Sequence, residues 1–223
     1  MSKAGKQLIE AAKEAVAIAR GKKAPARIAR LRIELDEVKP RVVRRIEVPL
    51  AMRLDDLHLA FQIAMGWEND HLYEFQAGRA AWGIPDPEVP RSAWDILAAS
   101  EAVLADLLAQ APRKSFNYLY DFGDGWSHSV SVEAVTEAAS ETGYPRLLDA
   151  EGRCPPEDCG GPYGYTRYLE AIGNRKHKRH KEMIEWRGPG FDPTALNAAA
   201  IRKELAALAK RIARPRAERA KES

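Results

Sequence analysis

The chain has 223 residues, a mass of 24.8 kDa, 45% hydrophobic residues and a formal net charge of +3. This hydrophobic content excludes a wholly disordered chain, and no apolar stretch approaches the roughly 18–20 residues needed to cross a bilayer. The N-terminus lacks the apolar run of a secretory signal, so we expect a cytoplasmic protein. The two cysteines, Cys154 and Cys159, lie in one loop-like stretch, which excludes a disulfide framework spanning the fold.

Charge is segregated along the chain. Residues 1–32 carry nine basic and two acidic residues, a net charge of +7. Residues 33–173 carry 12 basic and 24 acidic residues, a net charge of −12. Residues 174–223 carry 14 basic and six acidic residues, a net charge of +8. Basic ends can bind nucleic acid through its phosphates, or they can be solvated helix faces that pair with the acidic body. Both interpretations fit the composition.

The first half of the chain alternates between helical and strand patterns, which have periods of about 3.6 and two residues. From these patterns we predict, in chain order, a helix over 3–20, a hairpin of strands 28–35 and 42–48, a helix from Leu54 to Gly66, a strand over 70–78 and a loop from Gly83 to Pro90.

The second half is predicted in the same way. In chain order we expect a helix over 92–110, strands 116–122 and 126–135 joined by a tight turn, a loop over 140–162, and helices over 163–172, 176–186 and 194–213. Hairpins with helices between and after them predict an α+β fold, an antiparallel sheet with helices packed on one face. No glycine fingerprint of a dinucleotide-binding or P-loop protein is present. We divide the chain into a helical basic arm (1–26), a single α+β domain (27–210) and a basic tail (211–223).

The hairpin at 118–128 is the segment richest in reactive residue types. If Asp121, Asp124 and His128 converge, they can bind a divalent metal or relay a proton. Each also has a structural explanation, because tight turns and strand cores use the same residue types. If the hairpin meets the loop at 154–165, we expect the cleft between them to be lined by Tyr120, Asp121, Asp124, Trp126, His128, Glu157, Asp158 and Tyr165.

The two cysteines are separated by four residues, a spacing found in zinc sites, although a structural site needs two further ligands. The donors available are His128 on the hairpin, or His177 and His180. A zinc site that includes Cys154, Cys159 and His128 is one hypothesis. A pair of reduced loop thiols is the other.

A basic run occupies residues 175–181. Its candidates for nucleic-acid contact are Arg175, Lys176, Lys178, Arg179 and Lys181. The nearby Trp186 can stack on a base. The alternative is an exposed helix face without a ligand.

A series of short motifs occurs in order along the chain: Ile46-Glu47-Val48-Pro49, Leu54-Asp55-Asp56-Leu57-His58, Gly66-Trp67, His71-Leu72-Tyr73-Glu74-Phe75, Tyr120-Asp121-Phe122-Gly123-Asp124 with Trp126 and His128, the cysteine loop from Cys154 to Gly161, Gly164-Tyr165 and Phe191-Asp192-Pro193. In combination these motifs resemble the plasmid pRiA4b ORF-3-like family, also described as the passenger protein of an insertion element. The resemblance covers about Ala29 to Leu208.

The resemblance implies an accessory protein of plasmids and transposons with a compact α+β domain and no established activity. Some members carry a resolvase-like (TnpR) label, which implies DNA recombination. A serine recombinase needs a nucleophilic serine among arginines that hold the scissile phosphate. The four hairpin serines, Ser115, Ser127, Ser129 and Ser131, have no such setting, so we do not expect that activity.

Three hypotheses follow. The first is an interaction module that binds protein or nucleic acid without turnover, with salt-dependent affinity. The second is a metal-dependent hydrolase or nuclease in which a divalent metal activates water and a carboxylate acts as base; it would use Asp121, Asp124, His128, Glu157 and Asp158. The third is a domain stapled by zinc. We favour the first, because the segregated charge supports binding whereas each carboxylate has a structural explanation.

Overall fold

The computed structural model describes residues 27–86, 96–139 and 142–214. The predicted helix over 3–20 and most of the basic tail lie outside these residues, so the division into arm, domain and tail stays a prediction. The described residues form one eight-stranded, mostly antiparallel sheet with five α-helices, which confirms the α+β fold class. None of the described helices is long and apolar enough to cross a membrane.

The strands follow the order β5-β4-β3-β6-β7-β1-β2-β8 across the sheet. Their bounds are β1 Ile28–Leu35, β2 Val43–Pro49, β3 Tyr73–Ala77, β4 Ala80–Gly83, β5 Leu97–Ala98, β6 Ser115–Tyr120, β7 Trp126–Thr136 and β8 Arg146–Glu151. Both predicted hairpins, β1–β2 and β6–β7, are confirmed. The pairing of β7 with β1 joins the two hairpins into one sheet.

Strand β1 shows why these residues form a sheet with one buried face. Ala29, Leu31 and Ile33 are buried, whereas Arg30 and Arg32 alternate with them on the other face. This period of two is the pattern of a half-buried strand. On the outer face, the Glu47 carboxylate accepts hydrogen bonds from Arg30 at 3.1 Å and from Arg146 at 2.6 Å, which links β1, β2 and β8.

The helices are α1 Leu54–Met65, α2 Leu104–Gln110, α3 Gly161–Gly173, α4 His180–Arg187 and α5 Ala198–Ile212. Asp55 and Asp56 lie in the first turn of α1, where the helix dipole favours negative charge. The helix ends at Gly66, whose φ of 86° is the left-handed conformation that glycine adopts without steric cost. Helix α5 packs against β8 and α1 and completes the layer over the core.

Three sequence predictions are wrong in part. The predicted helix 92–110 is α-helical only from Leu104, because Leu97–Ala98 forms a parallel strand beside β4 and Ala99–Glu101 forms a 3₁₀ turn; residues 92–95 lie outside the described ranges. The predicted loop 140–162 contains β8, whose charged side chains give little strand signal but whose backbone pairs with β2. The predicted helix 176–186 begins only at His180, and a turn occupies 174–179.

Candidate functional site

The hairpin turn between β6 and β7 meets the loop that follows β8. The Tyr120 hydroxyl donates a hydrogen bond to the Glu157 carboxylate at 2.6 Å, and the Gly160 amide donates to the Asp124 carboxylate at 3.1 Å. Gly161 packs so closely that a Cβ atom there would overlap the carbonyl oxygen of Asp124. The structure thus brings together the two segments from which the cleft was predicted.

Asp121 is the buried carboxylate of this junction. Its Oδ1 atom accepts hydrogen bonds from the amides of Gly123 at 2.9 Å and Asp124 at 3.3 Å, which fixes the turn. Its Oδ2 atom lies 3.7 Å from Nε2 of His71, and the same nitrogen lies 3.3 Å from Oδ1 of Asp158. One imidazole therefore faces two carboxylates at the rim of the cleft.

The sequence prediction missed His71. This residue comes just before β3, and β3 pairs with β6 so that Tyr73 lies opposite Tyr120. The Asp121 amide continues the ladder by donating to the carbonyl of Leu72 at 2.9 Å. Only the pairing of these two strands places His71 next to Asp121, and their sequence patterns do not specify that pairing.

A second group, made of three acidic side chains, lies beside the group of His71, Asp121 and Asp158. Carboxylate oxygens of Glu68, Asp70 and Glu157 lie within 4.8 Å of one another. The Tyr120 hydroxyl accepts a hydrogen bond from the Asp70 amide at 3.1 Å while it donates to Glu157. Burial, and then this bond to a carboxylate, raise the pKa of Tyr120. The phenol therefore stays protonated and serves as a donor.

Four residues that were predicted to line the cleft are completely buried instead. Tyr120 contacts the cysteine loop through its hydroxyl; the other three are Trp126, His128 and Tyr165. The reason is strand alternation: Trp126 and His128 share a face of β7 with the core residue Val130. His128 is hydrogen-bonded through Nδ1 to the carbonyl oxygen of Tyr118 at 3.1 Å, and burial lowers its pKa to about 4. These three side chains stabilise the core.

The cysteines have different surroundings from those of a shared metal site. The Cys154 thiol is buried 3.4 Å from the Met65 sulfur, and burial raises its pKa to about 11; burial raises the pKa of Cys159 to about 12. Among the described residues, the groups of three ligand-type side chains that converge are His71–Asp121–Asp158 and Glu68–Asp70–Glu157. Neither group includes Cys154, Cys159 or His128.

A buried arginine fixes the start of the cysteine loop. Arg44 lies on the inner face of β2 and donates to the carbonyl oxygens of Ala64 at 2.6 Å, Val43 at 2.9 Å and Glu151 at 2.7 Å. Its remaining guanidinium nitrogen lies 3.6 Å from the Cys154 sulfur. This one side chain therefore connects the end of α1 with β2, β8 and the loop that carries Glu157 and Asp158.

The basic run lies on the turn 174–179 and the first turn of α4. Arg175, Lys176 and Lys178 are exposed. Arg179, the last residue of the turn, and Lys181 form ion pairs with residues of α4, namely Glu182 at 2.7 Å and Glu185 at 3.6 Å. His180 donates from Nδ1 to the carbonyl oxygen of Ala171 at 2.8 Å, so this imidazole anchors the turn to α3.

Next to this run, α3 and α4 enclose a cleft of about 500 Å³. Two aromatic side chains with large exposed fractions line it, Tyr163 at 74% and Trp186 at 41%. An arginine lies over each ring: Arg167 is 5.6 Å from the centre of the Tyr163 ring, and Arg187 is 4.7 Å from that of Trp186. Asp158 lies at the edge of the same cleft, which places the acidic rim and the aromatic cleft side by side.

A larger cavity of about 620 Å³ lies between the end of α1, the cysteine loop and α5. Its wall includes two arginines and three glutamates, namely Arg153, Arg187, Glu68, Glu157 and Glu204. Because both signs of charge line the wall, the cavity does not select a cationic or an anionic ligand.

The chain is similar to a known protein family, to a protein of known sequence and to a protein of known structure. Residues 27–200 match the family model described as plasmid pRiA4b ORF-3-like protein. An uncharacterised protein, y4hQ, of Sinorhizobium fredii is 44% identical over 190 residues, which cover 85% of this chain and 96% of that protein. The crystal structure of MM3350, a protein of unknown function from Methanosarcina mazei Go1, is similar with a TM-score of 0.69 and 27% identity, over 82% of this chain and 99% of that one.

Proposed function

We propose that this chain, which belongs to the plasmid pRiA4b ORF-3-like family, is an accessory protein of plasmids and mobile elements. We propose further that it binds single-stranded nucleic acid. The binding surface is the cleft between α3 and α4 together with the basic turn beside it. We call this surface the aromatic-basic face. Its members are Tyr163, Arg167, Arg175, Lys176, Lys178, Arg179, Lys181 and Trp186.

The observation that carries the proposal is the pair of exposed rings in one cleft. Large aromatic side chains are usually buried, and here Tyr163 and Trp186 are both exposed and line the same depression. Proteins that bind single strands without sequence preference use such rings to stack bases, with arginines adding cation–π contacts. Arg167 and Arg187 place a positive charge next to each ring.

The charge of the turn 174–179 beside the cleft supports a polyanionic ligand, although the cleft wall itself contains Arg167 and Arg179 together with Asp158 and Glu182. Residues 161–187 contain seven basic and three acidic residues, a net charge of +4, although the body of the chain is acidic. Three of the basic residues lie exposed on the turn 174–179. Neutralisation of phosphates by such residues releases counterions, so affinity should fall steeply as salt rises.

The test is fluorescence anisotropy with a labelled oligothymidylate of about 16 nucleotides, in a metal chelator and at several salt concentrations. We expect salt-dependent binding that Trp186→Ala or Tyr163→Ala weakens by roughly 5- to 150-fold, since stacking on one ring is worth about 1–3 kcal/mol. Phe122→Ala is the matched control, because this ring is 49% exposed but lies outside the cleft.

Two results would overturn the proposal. The first is the absence of binding at low salt. The second is equal weakening by Phe122→Ala and Trp186→Ala, which would show that binding does not use the cleft. Salt-independent capture of a protein partner by the same face, without oligonucleotide binding, would assign the surface to protein recognition instead.

A metal-dependent hydrolase or nuclease is the second candidate. The observation in its favour is the convergence of Asp121 and Asp158, now with His71 in place of His128. It predicts that zinc, manganese or magnesium causes cleavage of the labelled oligonucleotide, and that Asp158→Asn abolishes it. An oligonucleotide that stays intact with all three metals would eliminate this candidate for nucleic-acid substrates.

A further inference from the structure

We propose that His71, Asp121 and Asp158 form a binding site for a divalent transition-metal ion, with zinc as the best-matched ion. Imidazole nitrogen and carboxylate oxygen are both ligand types that zinc binds, and a set of three protein ligands leaves a fourth position to water. The imidazole also disfavours magnesium and calcium, which prefer oxygen ligands. This site differs from the hypothetical zinc site of Cys154, Cys159 and His128 in every residue.

The spacing of the three ligand atoms fits such an ion. Ligands about 2.05 Å from a tetrahedral zinc lie about 3.4 Å apart. Nε2 of His71 lies 3.3 Å from the Asp158 oxygen and 3.7 Å from the Asp121 oxygen, on either side of that value. All three ligand atoms lie within 4.8 Å of one another, so an ion can bind after small side-chain rotations.

Asp121 provides an independent observation. Its side chain is only 9% exposed, and its Oδ1 atom is held by two backbone amides. Its Oδ2 atom faces Nε2 of His71 at 3.7 Å, and the same nitrogen faces the Asp158 carboxylate. A cation between these groups would bind Oδ2 directly, while the two amides keep the ligand oriented.

The neighbouring acidic group increases the attraction for a cation. Asp70 and Glu157 each directly precede a member of the proposed site in sequence, namely His71 and Asp158. The two groups therefore lie side by side, and the carboxylates of the second add negative potential around the first. We assign no ion to the second group, because it offers carboxylates only and Glu157 already accepts hydrogen bonds from Tyr120 and the Glu68 amide.

An ion pair between protonated His71 and the two aspartates would hold the same side chains together. Zinc binding that needs both His71 and Asp158 distinguishes the two arrangements, because a structural ion pair alone would bind no zinc.

The experiment is calorimetric titration of the full chain with zinc at pH 7.5, after removal of metals by a chelator. We expect one zinc ion per chain, with affinity reduced at least roughly tenfold by His71→Gln and by Asp158→Asn. The Asp158 side chain is 69% exposed, so Asp158→Asn should fold normally even if a change at Asp121 does not. His177→Gln and Cys159→Ser are the controls and should bind zinc like the wild type.

Two outcomes would overturn the proposal. One is the absence of zinc binding at pH 7.5. The other is binding that Cys159→Ser removes and His71→Gln leaves unchanged, which would assign the ion to the cysteine loop. Oligonucleotide binding by the aromatic-basic face is measured in chelator, so failure of either proposal is recognised separately.

Discussion

Acidification from pH 7 to pH 5 is expected to destabilise the fold through two buried histidines. Burial lowers the pKa of His58 and of His128 to about 4, from an ordinary value of 6.5. His58 lies in a closed network in which Nδ1 pairs with the Tyr118 hydroxyl at 2.7 Å and Nε2 with the Asn69 side chain. For His128, the nearby Arg44 guanidinium further opposes a second positive charge. Both imidazoles are therefore neutral in the folded protein.

The sign and size of the effect follow from proton linkage. Between pH 6.5 and pH 4 the unfolded chain binds protons at these histidines and the folded chain does not, so the free energy of unfolding falls as the pH falls. With the two pKa values above, each histidine lowers that free energy by about 2 kcal/mol between pH 7 and pH 5. Together they lower it by about 4 kcal/mol, a large part of a typical domain's 5–15 kcal/mol.

The measurement is urea unfolding followed by tryptophan fluorescence at several pH values between 7 and 5. We expect His128→Gln to be less stable than the wild type at pH 7 but to lose only about half as much stability on acidification. His177→Gln, in the surface turn 174–179, should keep the wild-type pH dependence. If the wild type is equally stable at pH 7 and pH 5, or if both variants have the same pH dependence, the reasoning is refuted.

Three further predictions concern the junction and its surroundings. Arg44→Leu should lower the free energy of unfolding by about 3 kcal/mol, because it leaves buried carbonyl oxygens without a donor; an unchanged urea midpoint would contradict this. At pH 8, Cys154 should react with a thiol reagent roughly a hundredfold more slowly in the folded protein than in urea, and Cys159 roughly a thousandfold more slowly, because burial raises their pKa values to about 11 and about 12; equal rates would argue against that burial. Gly161→Ala should destabilise the protein by about 1–3 kcal/mol because its Cβ meets backbone at a positive φ, whereas Gly173→Ala, whose Cβ meets open space, should not; thermal unfolding of the two variants compares them directly.

Elements with strict local patterns could be predicted from the sequence. The hairpins β1–β2 and β6–β7 and the helix α1 have clear periods and are bounded by turn residues or by a left-handed glycine. Strands β5 and β8 could not be predicted, because β5 is two residues long and β8 owes its conformation to backbone pairing with β2. Such pairing depends on distant parts of the chain and leaves no periodic pattern.

The same distinction applies to the candidate site. Asp121, Glu157 and Asp158 were identified because carboxylates cluster with aromatic or cysteine residues in a short predicted turn and a loop. His71 was missed because its place depends on the pairing of β3 with β6. Trp126 could have been assigned to the core from the sequence, since it alternates in phase with Val130 along a predicted strand.

The sheet order has a consequence for the behaviour of the protein at high concentration. An open sheet exposes unpaired backbone groups at its two outer strands, and these can recruit a strand from another molecule. Here β5 is only two residues long, while β8 carries Arg146, Asp149 and Glu151 and pairs with β2 across a register shift. Short, charged and irregular margins disfavour the addition of a further strand, so the sheet formed by the described residues resists edge-to-edge aggregation.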